Sequence, residues 1–136
     1  MHSEPVLIVD DNPVNLKLVR VLLESERYDV RTAQDAEEAL TVLRDFTPRL
    51  ILMDIQLPGM DGLELTRLLK ARPETRSIVI VAITAYAMKG DDDRAYAAGC
   101  DGYLTKPIDT RTLPAVVAGY LAGAEERGDA AAEASP

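Results

Sequence analysis

Along the chain, short apolar runs alternate with longer stretches in which apolar residues recur every three or four positions. The runs are VLIVD (6–10), YDVRTA (28–33), LILMD (50–54), SIVIVAIT (77–84) and GYLTKP (102–107), and each predicts a β-strand. The first, third and fourth are apolar without alternation, as strands are when helices cover both faces of a parallel sheet. The intervening stretches predict helices. Asn12 stands as an N-cap before Pro13 and opens a helix over 12–27. Asp35 and Glu38 have capping-box spacing at the head of 35–46. A third helix spans 62–72 and is stopped by Pro73. A fourth, 90–99, carries acids near its positive end and closes on Gly99. The last, 109–127, tolerates Pro114 because that residue lies in its first turn.

Five βα units in a row predict an α/β fold: a flavodoxin-like, doubly wound parallel sheet in strand order 2-1-3-4-5. In that topology the functional crevice lies outside the carboxyl ends of strands 1 and 3. Residues 1–4 read as an extension, 5–123 as one domain, and 124–136, small and polar, as a tail expected to be disordered. No internal linker interrupts the domain. The starting Met1 suggests a complete small protein, with a segment of a larger protein as the alternative.

Composition narrows the function more than the fold. A length of 136 residues, 47% of them apolar, is enough for a core without staples. The net charge of −8 argues against direct contact with nucleic acid, whose phosphates attract basic surfaces. Cys100 is the only cysteine, so no internal disulfide forms, and its reading is that of a small semi-buried residue. The sequence has no run of membrane-spanning length, and its start, MHSEPVLIVDD, lacks the features of a signal peptide. No membrane insertion and a cytoplasmic location are therefore expected.

Candidate chemistry sits at the strand ends. Strand 1 ends in Asp10-Asp11, strand 3 in Asp54, strand 4 in Thr84 and strand 5 in Lys106-Pro107. Singly, each has an ordinary structural reading: surface acids, a turn cap, a strand threonine, a solvated lysine. Together they converge on one crevice. Clustered carboxylates repel one another, and a hard divalent cation, Mg2+ (or Mn2+), relieves the repulsion. Asp11 and Asp54 are candidate direct ligands, Asp10 a ligand through water, and Gln56 the donor of a main-chain carbonyl. An aspartate carboxylate is also a nucleophile toward phosphorus. Lys106 and Thr84 would then meet the phosphoryl oxygens. A magnesium phosphohydrolase of haloacid dehalogenase type would need an acid two residues after its nucleophile, where this chain has Gln56. A flavodoxin-type cofactor binder would need a Gly-, Ser- or Thr-rich loop after strand 1, where this chain has DDNPVN.

The segments VLIVDDNPVN, LILMDIQLPGMDG, VAITAYAMKGD and GYLTKPI resemble the response-regulator receiver domain, the phosphoacceptor half of bacterial two-component signalling. The resemblance spans about residues 5–122 and is strongest to stand-alone receivers of the cell-division type. It implies that Asp54 is phosphorylated, that Asp10 and Asp11 are the magnesium-site acids, and that Gln56 supplies a carbonyl. It further implies Thr84 as the switch hydroxyl, Lys106 with a cis bond to Pro107, and Tyr103 as the aromatic that turns inward on activation. Gln56 and Tyr86 are the positions that tune phosphate lifetime. Such a domain is no enzyme beyond its own phosphorylation and dephosphorylation. Its implied partners are a histidine kinase or histidine phosphotransfer protein and a downstream protein target, reached through the helix 4–strand 5–helix 5 surface. It is a monomer or a phosphorylation-dependent dimer.

Helix 1 has a feature of its own. Asn15, Leu18, Val19 and Leu22 form one stripe, flanked by Val14 and Val21 on one side and Leu16 and Leu23 on the other. That arc is broader than a core-facing stripe requires. Val14, Asn15, Leu18 and Val21 are therefore candidates for docking the kinase or phosphotransfer bundle, the role that the resemblance implies for this helix.

Overall fold

The computed structural model describes residues 4–84 and 91–134. Its elements run β1 (Pro5–Val9), α1 (Pro13–Ser25), β2 (Asp29–Ala33), α2 (Ala36–Val42), β3 (Leu50–Asp54), α3 (Gly62–Ala71), β4 (Val79–Thr84), α4 (Asp91–Ala98), β5 (Gly102–Thr105) and α5 (Leu113–Ala134). The five strands form one parallel sheet in the order β2-β1-β3-β4-β5, as the βα alternation predicts.

Alternate strand residues face opposite sides of the sheet, so the apolar runs build two cores at once. Leu7, Val9, Ile51, Met53 and Ile80 pack on one side against Ala39 of α2, Leu65 and Leu69 of α3, and Ala95 of α4. Val6, Ile8, Leu50, Leu52 and Val81 pack on the other side against Leu16, Val19 and Leu23 of α1 and Val117 and Leu121 of α5. Each such fully buried side chain contributes roughly 1.5–3 kcal/mol, which is why the central strands tolerate no polar alternation.

Capping follows the sequence closely. The Asn12 side chain accepts the N–H groups of Val14 and Asn15, and Asp35 accepts that of Glu38. α4 closes at Gly99, whose φ of +108° is the left-handed conformation that glycine adopts without strain.

Three boundaries differ from expectation. α2 stops at Val42 rather than continuing to 46, because Arg44 and Asp45 donate three residues back, to Thr41 and Val42, and tighten the chain into a turn. That turn drops Phe46 into the core, with the Arg31 guanidinium 4.8 Å from its ring centroid. α5 begins at Leu113, since Asp109 first makes a turn that accepts the N–H groups of Arg111, Thr112 and Leu113. It then runs through Ala134, past the expected end at 127.

At the amino-terminal edge of β4 and β5, Lys70 closes the structure from beneath. Its ammonium donates to the carbonyls of Arg76 and Ile78 at 3.2 and 2.7 Å and to Asp101 Oδ2 at 3.0 Å. The same Asp101 oxygen accepts the Ile80 N–H at 2.9 Å. Helix α3 is thereby tied to the beginnings of both strands.

Candidate functional site

Strand register brings the acids together. Val9 pairs with Met53 and Asp54 with Ile83, so the residue following β1, Asp10, lies beside Asp54. Thr84 pairs with Thr105, which sets Lys106 one step beyond the end of β5. The Lys106 N–H donates to the Thr84 carbonyl at 2.7 Å and holds the lysine over the crevice. Its bond to Pro107 is cis.

Both inner acids are held the same way. Asp10 Oδ1 accepts the N–H of Asn12, and Asp54 Oδ1 accepts the N–H of Gln56, each at 2.9 Å and each two residues ahead. This Asx-turn geometry fixes one oxygen of each carboxylate and leaves the other for the crevice. The second oxygens meet one ammonium: Lys106 Nζ lies 3.1 Å from Asp54 Oδ2 and 3.4 Å from Asp10 Oδ2. Asp54 and Asp10 are 2% and 4% exposed, and Thr84 1%, whereas Asp11 is open to solvent.

Burial pushes the Asp54 carboxyl above the ordinary aspartate range. The Gln56 N–H and Lys106 pull against that rise, and neighbouring Asp10 adds to it. For Lys106, burial favours the neutral amine, but the hydrogen bond and charge of Asp54, with Asp10 behind it, prevail and raise its pKa. Lys106 therefore stays charged, and one ammonium serves two buried acids.

Asp10, Asp11 and Asp54 can each offer an oxygen within 4.8 Å of the others. An all-oxygen, anionic donor set with a solvent-facing member suits a hard divalent cation that keeps some of its waters. Gln56 is exposed in the turn after Asp54. The turn itself needs glycine twice. Gly59 adopts φ +73°. Gly62 lies so close to the end of β3 that a Cβ there would overlap the Asp54 carbonyl oxygen and sit 2.7 Å from Ile55 Cα.

The profile of the response regulator receiver domain matches residues 6–118. The chain belongs to that family. The receiver is 43% identical, over 122 residues, to the polar-differentiation response regulator DivK of Brucella ovis, a match covering 90% of this chain and 99% of the relative. Its fold matches a CheY-like receiver domain protein from Methanospirillum hungatei at TM-score 0.83 and 32% identity, over 93% of this chain and 99% of the other. It also matches the receiver domain of the sensor histidine kinase PA1611 from Pseudomonas aeruginosa at TM-score 0.80 and 32% identity, over 89% and 99% of the two chains. In that structure a magnesium ion is coordinated in the active-site cleft.

Of the remaining site candidates, Tyr103 is half-buried and packs against the core on the α3–α4 side. Tyr86 lies outside the described residues. On α1, Val14, Leu18 and Val21 are 72%, 51% and 52% exposed and form a patch with Pro13, and Asn15 is half-buried. Leu18, central in the apolar stripe read from the sequence, is not central in the core. The buried face is Leu16, Val19 and Leu23, rotated from that stripe because α1 leans on β1 and β2. Leu18 instead lines a groove of about 390 Å³ shared with Asn15, Lys106, Pro107 and Ile108. That the patch reaches the site lysine escapes sequence reasoning, since residues 18 and 106 meet only once β5 is placed. The main-chain N–H groups of Asn12 and Gln56 that orient Asp10 and Asp54 are not among the site groups expected from the sequence, since any non-proline residue at that spacing can supply such a donor. Among the described residues no helix is long and apolar enough to cross a membrane.

Proposed function

We propose that this receiver takes a phosphoryl group from a phosphohistidine onto Asp54 and passes the resulting change to protein partners. The carrying observation is the Asp54 carboxylate itself: buried at the end of β3, with Oδ1 fixed by Gln56 and Oδ2 3.1 Å from Lys106. In the transfer an Asp54 oxygen forms the new P–O bond as the P–N bond breaks, and the imidazole leaves with that bond's electron pair. No proton need be taken from the nucleophile, so positioning and charge neutralisation do the work. Lys106 donates to a phosphoryl oxygen once Asp54 Oδ2 is engaged. Asp10, Asp11, Asp54 and the Gln56 carbonyl would hold Mg2+ or Mn2+, which when bound offsets the charge of the phosphoryl oxygens. Thr84 is assigned the switch hydroxyl and Tyr103 the aromatic that follows it. Gln56 and Tyr86 are assigned control of phosphate lifetime. Gln56 also offers no acid at the position where a phosphohydrolase of aspartyl-phosphate type needs one.

The α1 patch, joined through Leu18 to the Lys106–Ile108 groove, fits docking of a kinase or phosphotransfer helix directly beside the acceptor. The face of α4, β5 and α5 is assigned to the downstream target, and the reducing cytoplasm to the location.

Two measurements test this reading. Lys106→Met removes the ammonium that Asp10 and Asp54 share, and the rate of Asp54 phosphorylation by a small phosphodonor should fall by roughly 100-fold. An unchanged rate would remove Lys106 from the mechanism. Saturating Mg2+ should raise thermal stability, by about 2.7 kcal/mol at a hundred times its Kd. With Asp11→Asn, exposed and absent from either core, the apo protein should melt as before and much of the Mg2+ increment should vanish. An increment that persists in full places the cation elsewhere.

A further inference from the structure

Beside the acid cluster lies a groove of about 500 Å³ that the phosphoacceptor chemistry does not use. One wall is the start of α2, with Asp35, Ala36, Glu37 and Leu40, and the other is the turn carrying Pro58 and Met60. The size lies within the roughly 300–1,000 Å³ of pockets that hold a ligand or a few side chains. Its floor is apolar: Leu40 rests on the core beneath, Ala36 is buried, and Met60 is an exposed large apolar residue. Its rim is acidic. Asp35 uses one carboxylate oxygen to cap α2, and exposed Glu37 forms no ion pair with any described residue.

We infer that this groove docks a segment of a partner protein that places an arginine or lysine next to a large apolar side chain. The apolar residue would cover Leu40 and Met60 while the cation meets Glu37 and the free oxygen of Asp35. A second copy of the chain is a poor occupant, because each copy carries a net charge of −8 and like charges repel on approach. The position adds consequence to the contact. Asp35 lies two residues beyond Ala33, whose carbonyl accepts the Asp10 N–H at 3.1 Å. Met60 lies on the same turn as Gln56, whose N–H holds Asp54. An occupant therefore touches both segments that orient the inner acids. The groove is present whether or not Asp54 is the phosphoacceptor.

The test is a selection of random peptides displayed on phage against the immobilised full chain, followed by anisotropy measurements on the enriched synthetic peptide. Enriched sequences should combine Arg or Lys with a neighbouring Leu, Phe or Met. Glu37→Lys and, separately, Met60→Asp should each weaken binding roughly tenfold or more, and added salt should weaken it further. Both positions are exposed, and circular dichroism confirms that the variants are folded. Val14→Asp on α1 should leave the affinity unchanged. An empty selection, enriched peptides without a cation, affinity that survives both groove variants, or affinity lost with Val14→Asp would each overturn the assignment. Concentration-dependent self-association abolished by Glu37→Lys would overturn it too, by giving the groove to a second copy.

Discussion

The Asp54→Asn chain should take up no acid-labile phosphate from a phosphodonor under conditions that label the native protein. An amide lends its nitrogen lone pair to its carbonyl and has no anionic oxygen to attack phosphorus, whereas the volume of the side chain is unchanged. The amide oxygen can still accept the Gln56 N–H, so the turn after β3 keeps its anchor. Loss of label must be separated from loss of fold, and the electrostatics supply the control. Burial raises the Asp54 pKa above its unfolded value, so the folded state prefers this carboxyl protonated. Its ionised form then lowers stability, progressively, as pH rises from the ordinary aspartate range through the raised folded value. Asparagine carries no such penalty. Without divalent cation, Asp54→Asn should therefore be at least as stable as the native chain at neutral pH, with the difference shrinking in acid. Borohydride trapping and peptide mapping check the site in the native protein. Stoichiometric label on Asp54→Asn, or native label mapping to another residue, would sink the acceptor assignment.

Gly62→Ala should be strongly damaging for the addition of a single methyl group. On propensity alone the sign would be opposite, since alanine is preferred over glycine in a helix by about 1 kcal/mol. The steric term is larger. The added Cβ would overlap the Asp54 carbonyl oxygen and lie 2.7 Å from Ile55 Cα, and neither is the end of a flexible side chain that can swing away. Either α3 retreats, opening the seam that Leu63 and Leu65 fill, or the end of β3 moves and carries Asp54 with it. Overpacking of this kind costs about 3 kcal/mol. That corresponds to a fall in Tm of roughly 10 °C for a chain of this size. Gly119→Ala is the matched control: α5 leaves open space there, with nothing within 4 Å of an added Cβ, and propensity should act unopposed. Equal melting of Gly62→Ala and the native protein would mean that the close approach of α3 to β3 is not what places Asp54.

The parts of the molecule that were legible in the sequence share a physical cause. A strand buried on both faces has to be apolar throughout, so an acid closing it is conspicuous, and parallel register then aligns the closing residues of neighbouring strands. Asp10 and Asp54 stand out for that reason, and the parallel register sets Lys106 beside them. Rotational facts were harder. Helical periodicity locates an apolar arc on α1 but not the point on that arc that faces the sheet, and Leu18 and Leu16 exchange roles as a result. The early end of α2 depends on Phe46 finding a place in the core, a tertiary gain that local pattern does not encode.

Among the described residues, Lys70 and Lys106 are the lysines held in ion pairs, and they are held by different kinds of group. Lys70 has two main-chain carbonyls and one carboxylate, and the carbonyls keep their charge whatever happens in solution. Among the described residues, the Lys106 ammonium meets side-chain carboxylates, those of Asp10 and Asp54, and a carboxylate can lose its charge. Protonating or modifying a single acid leaves Lys70 where it is and reapportions Lys106 between its partners. One end of the sheet is consequently a fixed abutment, and the other a balance whose needle is a lysine.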